Sequence, residues 1–190
     1  FLFARPGYFI RERGSSEEDR YSSGPRDAIK STIVNYDWKN FQILAPALQN
    51  LRKYYKPEKL ILIGHSGGAY QGGTIHGKVP GLVDINILIS CPCDWEIRKK
   101  LSNGKKWETK SQLKELKKNS PSFNYKDIDL KSLNILIVGK DDKNTAPGVS
   151  KYYYDLLEKK KLQVKLHIID GGHGLRSMPT IGSIIKEYIN

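Results

Sequence analysis

Short apolar runs separated by amphipathic stretches dominate the hydrophobic pattern of this chain. Two runs, 85–90 (INILIS) and 134–138 (NILIV), are almost wholly apolar, which is typical of strands covered on both faces of a sheet. The predicted strands are 1–3, 59–63, 85–90, 134–138 and 164–169. Because predicted helices alternate with these strands, the pattern indicates an α/β fold with a mostly parallel sheet flanked by helices.

Three stretches carry apolar residues at the spacings of three and four that place side chains on one helix face. Pro46 interrupts the first stretch, so that helix either kinks or begins there. The three predicted faces comprise Phe41, Leu44, Leu48, Leu51 and Tyr55, then Tyr153, Leu156, Leu157 and Leu162, then Ile181, Ile184, Ile185 and Tyr188.

One segment, 94–133, breaks the alternation of strands and helices. It is polar and rich in lysine, with one predicted helix near 107–118. We expect it to be a small cap over one end of the sheet; the alternative is a long surface excursion. With no internal repeat and no other insertion, residues 1–190 are predicted to form a single α/β domain.

Composition and charge narrow the possible partners. The 190 residues are 38% apolar, which suits one domain with a core, and no apolar run approaches the roughly 20 residues of a membrane helix. The net charge is +12, but the lysines are scattered over helix faces, for example at 98–106 and 114–118. Since aromatic residues do not alternate with them, we expect neither a nucleic acid nor a membrane as partner.

The only cysteines, Cys91 and Cys93, are separated by one residue. A bridge across so short a span is strained, so we expect two free thiols in a reducing compartment, the cytoplasm. No further soft ligands lie nearby in the sequence, so no metal and no organic cofactor is expected.

The strongest chemical signal is the segment 64–68 (GHSGG), directly after the predicted strand 59–63. A Gly-x-Ser-x-Gly turn between a strand and a helix exposes its serine at a sharp bend, which makes Ser66 the candidate nucleophile. Gly64 and Gly68 are expected to let the strand and the helix approach closely. The N–H of Gly67, at the positive end of the following helix, is the candidate oxyanion donor.

A nucleophilic serine needs a base, and an acid to orient that base. Of the four histidines, His173 is favoured because it follows the last predicted strand, and open α/β sheets place their sites at the carboxyl ends of strands. His65 occupies the variable position of the turn, while His76 and His167 fall within a predicted helix and strand.

Two aspartates in the loop after the strand 134–138 are candidate acids. Asp142 is favoured over Asp141 because it lies three residues after Gly139 and leaves room for the chain to turn. Asp94 is a weaker candidate, and Asp170 is too close in sequence to the base.

The segments GHSGG, G-x-x-D and GGHG, in that order, resemble the α/β-hydrolase superfamily, in particular its esterase-like and prolyl-oligopeptidase-like members. The stretch 4–8 (ARPGY) with 14–16 (GSS) is similar to the segment after that superfamily's fourth strand. The resemblance implies a catalytic triad of Ser66, Asp142 and His173.

The resemblance also implies a strand between the superfamily's fourth and fifth strands, which this sequence lacks if 1–3 is the fourth. We therefore expect that further N-terminal strands precede residue 1 in the natural protein. The alternatives are strands from another chain, or a minimal sheet in which 1–3 pairs directly with 59–63.

The function expected from these residues is cleavage of carboxylic esters through an acyl-enzyme intermediate. A serine peptidase or amidase with the same triad is the alternative within the enzymes, with a small-molecule ester or a peptide as substrate. A non-catalytic binding protein on a hydrolase fold is the alternative outside them.

Overall fold

The computed structural model describes residues 36–102, 110–175 and 179–189. Within them four strands form one parallel sheet in the order β1-β2-β3-β4. The strands are β1 Ile61–His65, β2 Ile85–Ile89, β3 Leu133–Gly139 and β4 Gln163–Ile169. The predicted α/β class with a parallel sheet is thereby confirmed. The predicted strand 1–3 lies outside the described residues.

Helices connect and flank these strands. They are α1 Trp38–Phe41, α2 Leu44–Tyr55, α3 Gly67–Lys78, α4 Trp95–Leu101, α5 Lys110–Lys118, α6 Pro121–Asn124, α7 Pro147–Lys159 and α8 Pro179–Ile189, with a 3₁₀ turn at Tyr125–Asp127. Of the two possibilities at Pro46, the structure has the helix beginning there, because Pro46 lies in the first turn of α2, where its missing N–H has no intrahelical partner to lose.

Alternation along the two central strands divides the core between the two faces of the sheet. Leu88 and Leu136 pack with Tyr153 and Leu157 of α7 on one face. Ile87 and its neighbours pack against α8 on the other face. Both central strands are buried almost throughout, as their nearly continuous apolar sequences predict.

The first strand begins and ends two residues later than predicted. Gly64 and His65 pair with Leu88 and Ile89, although neither residue continues the apolar pattern. The sheet partner, rather than local hydrophobicity, therefore sets the end of β1 and carries the strand up to Ser66.

The described part of the segment 94–133 packs along α3 and α7. The hydroxyl of Tyr70 donates to the carbonyl of Leu116 at 2.8 Å, and the hydroxyl of Thr74 donates to the carbonyl of Asn119 at 2.5 Å. These bonds tie α5 and the turn after it to the helix that follows Ser66. The predicted role of the segment as a cap over the sheet stays a prediction.

The expectation of two free thiols is wrong: Cys91 and Cys93 form a disulfide. The chain between them is not extended, so their Cα atoms lie 5.0 Å apart, within the usual range for a bridge. Both residues are fully buried beside Leu88 and Leu136. In the described parts of the chain, no helix combines the length and apolar character needed to cross a membrane.

Candidate active site

Ser66 occupies the turn between β1 and α3. Its backbone has φ 53° and ψ −117°, a conformation that residues other than glycine rarely adopt. Its N–H donates to the carbonyl of Ile89 at 2.8 Å. A Cβ at Gly64 would lie 2.5 Å from the carbonyl carbon of Gly68, so strand and helix meet backbone to backbone there. A Cβ at Gly68 would meet no atom of the described residues within 4 Å. The expected need for a small residue therefore holds at Gly64 and not at Gly68.

The loops after β3 and β4 are packed against each other at the same end of the sheet. A Cβ at Gly139 would collide with the backbone of Gly171 and Gly172, so only glycine allows this approach. The N–H of Lys140 donates to Ile169 O at 2.8 Å, and the N–H of Asp141 donates to Gly171 O at 3.0 Å. This backbone ladder brings the side chains of the two loops together.

Ser66, His173 and Asp142 lie in one hydrogen-bonded series. His173 Nε2 lies 2.9 Å from Ser66 Oγ, and His173 Nδ1 lies 2.9 Å from Asp142 Oδ2 and 3.2 Å from Oδ1. The Asp142 side chain is fully buried, whereas the His173 side chain is 27% exposed. The structure thus brings together the three residues that the sequence selected.

The other aspartates make different contacts. Asp141 is exposed, and Asp170 forms an ion pair with Lys140 at 2.7 Å. Asp94 caps α4, accepting from the N–H of Ile97 at 2.8 Å. Of the candidate acids, Asp142 is the one whose carboxylate contacts His173.

Hydrogen bonds keep Asp142 ionised despite its burial. Burial alone would raise the pKa of this carboxyl group, but bonds from His173 and Thr145 outweigh that effect and hold the pKa well below its ordinary value. Oδ1 accepts the backbone N–H groups of Asn144 at 2.9 Å and Thr145 at 2.8 Å, and Oδ2 accepts the Thr145 hydroxyl at 2.7 Å. The carboxylate carries a full charge at neutral pH.

The ionised carboxylate fixes the tautomer of His173. Because Asp142 carries no proton, Nδ1 of His173 must be the donor between them, which leaves the lone pair on Nε2. That lone pair faces Ser66 Oγ at 2.9 Å. The ring is therefore set to accept the proton of the Ser66 hydroxyl.

The remaining histidines have other partners. His65 Nε2 donates to the backbone carbonyl of His173 at 2.7 Å, which ties the serine turn to the histidine loop. His76 is fully buried with Nε2 3.2 Å from Ser132 Oγ, and His167 Nε2 lies 2.9 Å from the Tyr188 hydroxyl.

Thr145 is the residue at this site that the sequence analysis missed. It is buried, and its hydroxyl reaches Asp142, His173 and the carbonyl of Ser90. The signal was present in the spacing Asp-x-x-Thr, since a carboxylate often accepts N–H groups two and three residues ahead in a turn.

Gly67 lies directly after the nucleophile as the first residue of α3. N–H groups in the first turn of a helix lack intrahelical acceptors and form the positive end of the helix dipole. The stretch 4–8, which resembles the segment after the superfamily's fourth strand, lies outside the described residues. Across 36–102, 110–175 and 179–189, no group of three or more His, Cys, Asp or Glu side chains is arranged to hold a metal ion.

Several solved structures with the same arrangement of strands and helices are peptidases. Pyrococcus horikoshii acylaminoacyl peptidase matches 78% of this chain with a TM-score of 0.67 and 19% identity. Prolyl oligopeptidase B from Galerina marginata matches 77% with a TM-score of 0.62 and 17% identity, and Porphyromonas gingivalis dipeptidyl peptidase 4 matches 77% with a TM-score of 0.60 and 12% identity. At these identities the likeness shows the α/β-hydrolase fold.

The chain spans about a quarter of the length of these proteins: 27% of the first, 23% of the second and 21% of the third. No curated protein sequence matches it significantly. The sequence pattern of the prolyl oligopeptidase family matches residues 10–187, which is nearly the whole chain. This chain belongs to the prolyl oligopeptidase family.

Proposed function

We propose that this chain carries the catalytic site of a serine hydrolase that cleaves acyl compounds through an acyl-enzyme intermediate. The observation that carries the proposal is the series Ser66 Oγ, His173 Nε2, His173 Nδ1 and Asp142 Oδ2, with 2.9 Å at each of its two contacts between residues. This order of hydroxyl, imidazole and buried carboxylate is the arrangement that activates a serine.

In the proposed reaction, Ser66 Oγ attacks the carbonyl carbon of the substrate while His173 Nε2 takes the hydroxyl proton. Asp142 stabilises the imidazolium that forms, and the N–H of Gly67 donates to the oxyanion. His173 then returns the proton to the leaving group, and the acyl group stays on Ser66. A water molecule, deprotonated by His173, releases the acid by the same steps in reverse.

Two substrate classes fit this chemistry. Carboxylic esters are the substrates expected from the sequence, because an alkoxide leaving group makes the least demand on proton delivery. Peptides are the second candidate, and family membership favours them, since the three solved structures compared above are named as peptidases.

A non-catalytic binding protein on the same fold is less well supported. The His173 ring contacts a carboxylate on one nitrogen and a serine hydroxyl on the other. The burial of Asp142 with four hydrogen-bond donors around it, one of them Nδ1 of the candidate base, supports a catalytic role for the carboxylate.

Labelling with a fluorophosphonate tests the proposed nucleophile. The wild-type protein should label at Ser66, and Ser66→Ala should neither label nor turn over substrate, with kcat lower by about 10⁴- to 10⁶-fold. Ser120, whose hydroxyl contacts Ser122 in a buried position, provides a matched Ser→Ala control that keeps labelling. Labelling of Ser66→Ala at the wild-type rate would rule out the proposal.

A paired substrate panel separates the two substrate classes. Each p-nitrophenyl ester is compared with the p-nitroanilide of the same acyl group, so that only the leaving atom differs. Esters cleaved without any matching anilide support the esterase expectation, whereas turnover of anilides of short peptides supports a peptidase. Failure of both series in a protein that labels at Ser66 would point to an acyl group outside the panel.

A further inference from the structure

Thr145 joins the three loops that meet at the site. Its hydroxyl oxygen lies 2.7 Å from Asp142 Oδ2, 3.1 Å from the carbonyl oxygen of Ser90 and 3.2 Å from His173 Nδ1. Ser90 directly follows β2, Asp142 lies after β3, and His173 lies after β4. The side chain is 1% exposed, so water does not replace any of these contacts.

The single proton of the hydroxyl has two competing acceptors. Asp142 Oδ2 is nearer than the Ser90 carbonyl and carries a negative charge, and hydrogen bonds to charged acceptors are the stronger ones. The proton therefore goes to Asp142. The Ser90 carbonyl limits how far the hydroxyl can rotate away from that direction.

With its proton on Asp142, the Thr145 oxygen has lone pairs available toward His173 Nδ1. Nδ1 then faces three acceptors within 3.2 Å, namely the two carboxylate oxygens and the threonine oxygen. A proton on Nδ1 is attracted by all three, while a lone pair on Nδ1 would be repelled by all three. Thr145 thus favours the tautomer that leaves Nε2 unprotonated beside Ser66.

We propose that Thr145 is a positioning residue of the site, whose hydroxyl holds the Asp142 carboxylate in place and keeps His173 protonated on Nδ1. This inference rests on the proposed function, since it assigns Thr145 a part in activating Ser66. The residue acts through Asp142 and His173 and does not itself touch the reacting atoms.

Isosteric replacement separates the hydroxyl from the shape of the side chain. Thr145→Val should lower kcat, and the rate of fluorophosphonate labelling, by about 10- to 100-fold with KM near its wild-type value. Thr145→Ser, which keeps the hydroxyl, should restore most of both rates. Should Thr145→Val fail to fold, Thr145→Ala is compared with Thr145→Ser in the same assays.

A matched control is available at Thr74. Its hydroxyl is equally buried and lies 2.5 Å from the Asn119 carbonyl and 2.8 Å from the Tyr70 carbonyl, away from the three site residues. Thr74→Val should lower the free energy of unfolding but leave kcat and the labelling rate unchanged. A merely structural role of Thr145 would make the two valine variants behave alike.

The proton on Nδ1 of His173 can be observed directly by NMR. An imidazole N–H held against a carboxylate gives a low-field proton resonance, which disappears in His173→Ala and is thereby assigned. We expect this resonance in the wild type and in Thr145→Ser, and its loss or exchange broadening in Thr145→Val.

The outcomes distinguish this inference from the proposed function. If the wild type labels at Ser66 but Thr145→Val labels and turns over at the wild-type rate, the role of Thr145 is wrong and the hydrolase stands. Equal losses in Thr145→Val and Thr145→Ser would also overturn it, because the hydroxyl would not be the cause. If Ser66→Ala labels like the wild type, the proposed function itself fails.

Discussion

At the scale of single residues, burial and hydrogen-bond donors decide which of two adjacent aspartates can serve the histidine. Asp142 is buried and accepts four donors, while Asp141 is exposed and its backbone N–H donates to Gly171. The two residues share a loop and a charge, and they lie two and three residues after the end of β3. The sequence therefore favoured Asp142 only by its spacing from Gly139, and the direction of each side chain required the three-dimensional turn.

The pair offers a test of the acid. Asp142→Asn should lower kcat by about 10³- to 10⁴-fold, because an amide can present its NH₂ group to Nδ1 and so stabilise the wrong tautomer of His173. Asp141→Asn should keep near wild-type kcat, since its carboxylate is exposed and its backbone bond to Gly171 is unchanged. Steady-state kinetics of the two variants against wild type provide the comparison. A loss in Asp141→Asn as large as that in Asp142→Asn would contradict the assignment.

Thr145 shows a limit of sequence reasoning at the same scale. Its contact with Ser90 joins residues 55 positions apart, and its contact with His173 joins residues 28 positions apart. The local spacing Asp-x-x-Thr indicates a turn, but nothing in it says that the hydroxyl faces a histidine from another loop. Such contacts arise only once β2, β3 and β4 are aligned in the sheet.

At the scale of helices and strands, the hydrophobic pattern was enough to predict all four described strands and the helices α2, α7 and α8, but not α4, which directly follows β2. Runs such as 85–89 and 133–139 are buried on both faces, so packing and sequence agree there. The end of β1 was missed because Gly64 and His65 are held by their pairing with β2. The disulfide was missed because the bend between Cys91 and Cys93 is set by the loop and not by spacing.

The turn around Ser66 predicts different effects of alanine at Gly64 and at Gly68, two glycines that the sequence analysis treated alike. Gly64→Ala places a methyl group 2.5 Å from the backbone of Gly68 and 2.6 Å from the N–H nitrogen of Ala69, so β1 and α3 must separate. We expect a loss of about 1–3 kcal/mol or more in the free energy of unfolding, together with loss of labelling at Ser66. Urea unfolding and fluorophosphonate labelling measure the two effects.

Gly68→Ala is the matched control. No atom of the described residues lies within 4 Å of the added methyl group, and alanine favours helix formation over glycine. The variant should unfold at a urea concentration equal to or above that of the wild type. Equal destabilisation by the two substitutions would show that the close approach at Gly64 is not what limits this turn.

At the scale of the whole molecule, the two ends of the sheet have different chemistry. The carboxyl ends of the strands gather Ser66, Asp142 and His173, which lie far apart in the sequence. At the amino end of β3 the molecule instead buries a histidine: His76 on α3 contacts Ser132, just before the strand begins. The first group supports the proposed chemistry, and the second affects how the fold responds to acid.

His76 is held neutral by its surroundings. The hydroxyl of Ser132 donates to the Asp129 carbonyl at 2.6 Å, so it accepts from Nε2–H of His76 and leaves Nδ1 as a buried lone pair without a hydrogen-bond partner among the described residues. Protonation of Nδ1 would bury a charge with no acceptor. Burial accordingly lowers the pKa of His76 to about 4, against the opposing attraction of Asp129 and Asp84.

This buried histidine predicts a loss of stability in mild acid. The unfolded chain takes up a proton on His76 below pH 6.5, whereas the folded protein does so only near pH 4, so the free energy of unfolding falls as the pH drops between these values. The full decrease in the free energy of unfolding is about 3 kcal/mol. The carboxylate of Asp142 affects stability in a different pH range, because its lowered pKa contributes stability that is lost only below its ordinary value of 3.8.

Urea unfolding at pH 7 and pH 4 should therefore show a difference in the free energy of unfolding. This difference should be smaller in His76→Gln, whose amide keeps a donor near Ser132 but does not titrate. Circular dichroism at pH 4 checks that both proteins start folded, and the same pH dependence in the variant and the wild type would show that His76 is not the group responsible.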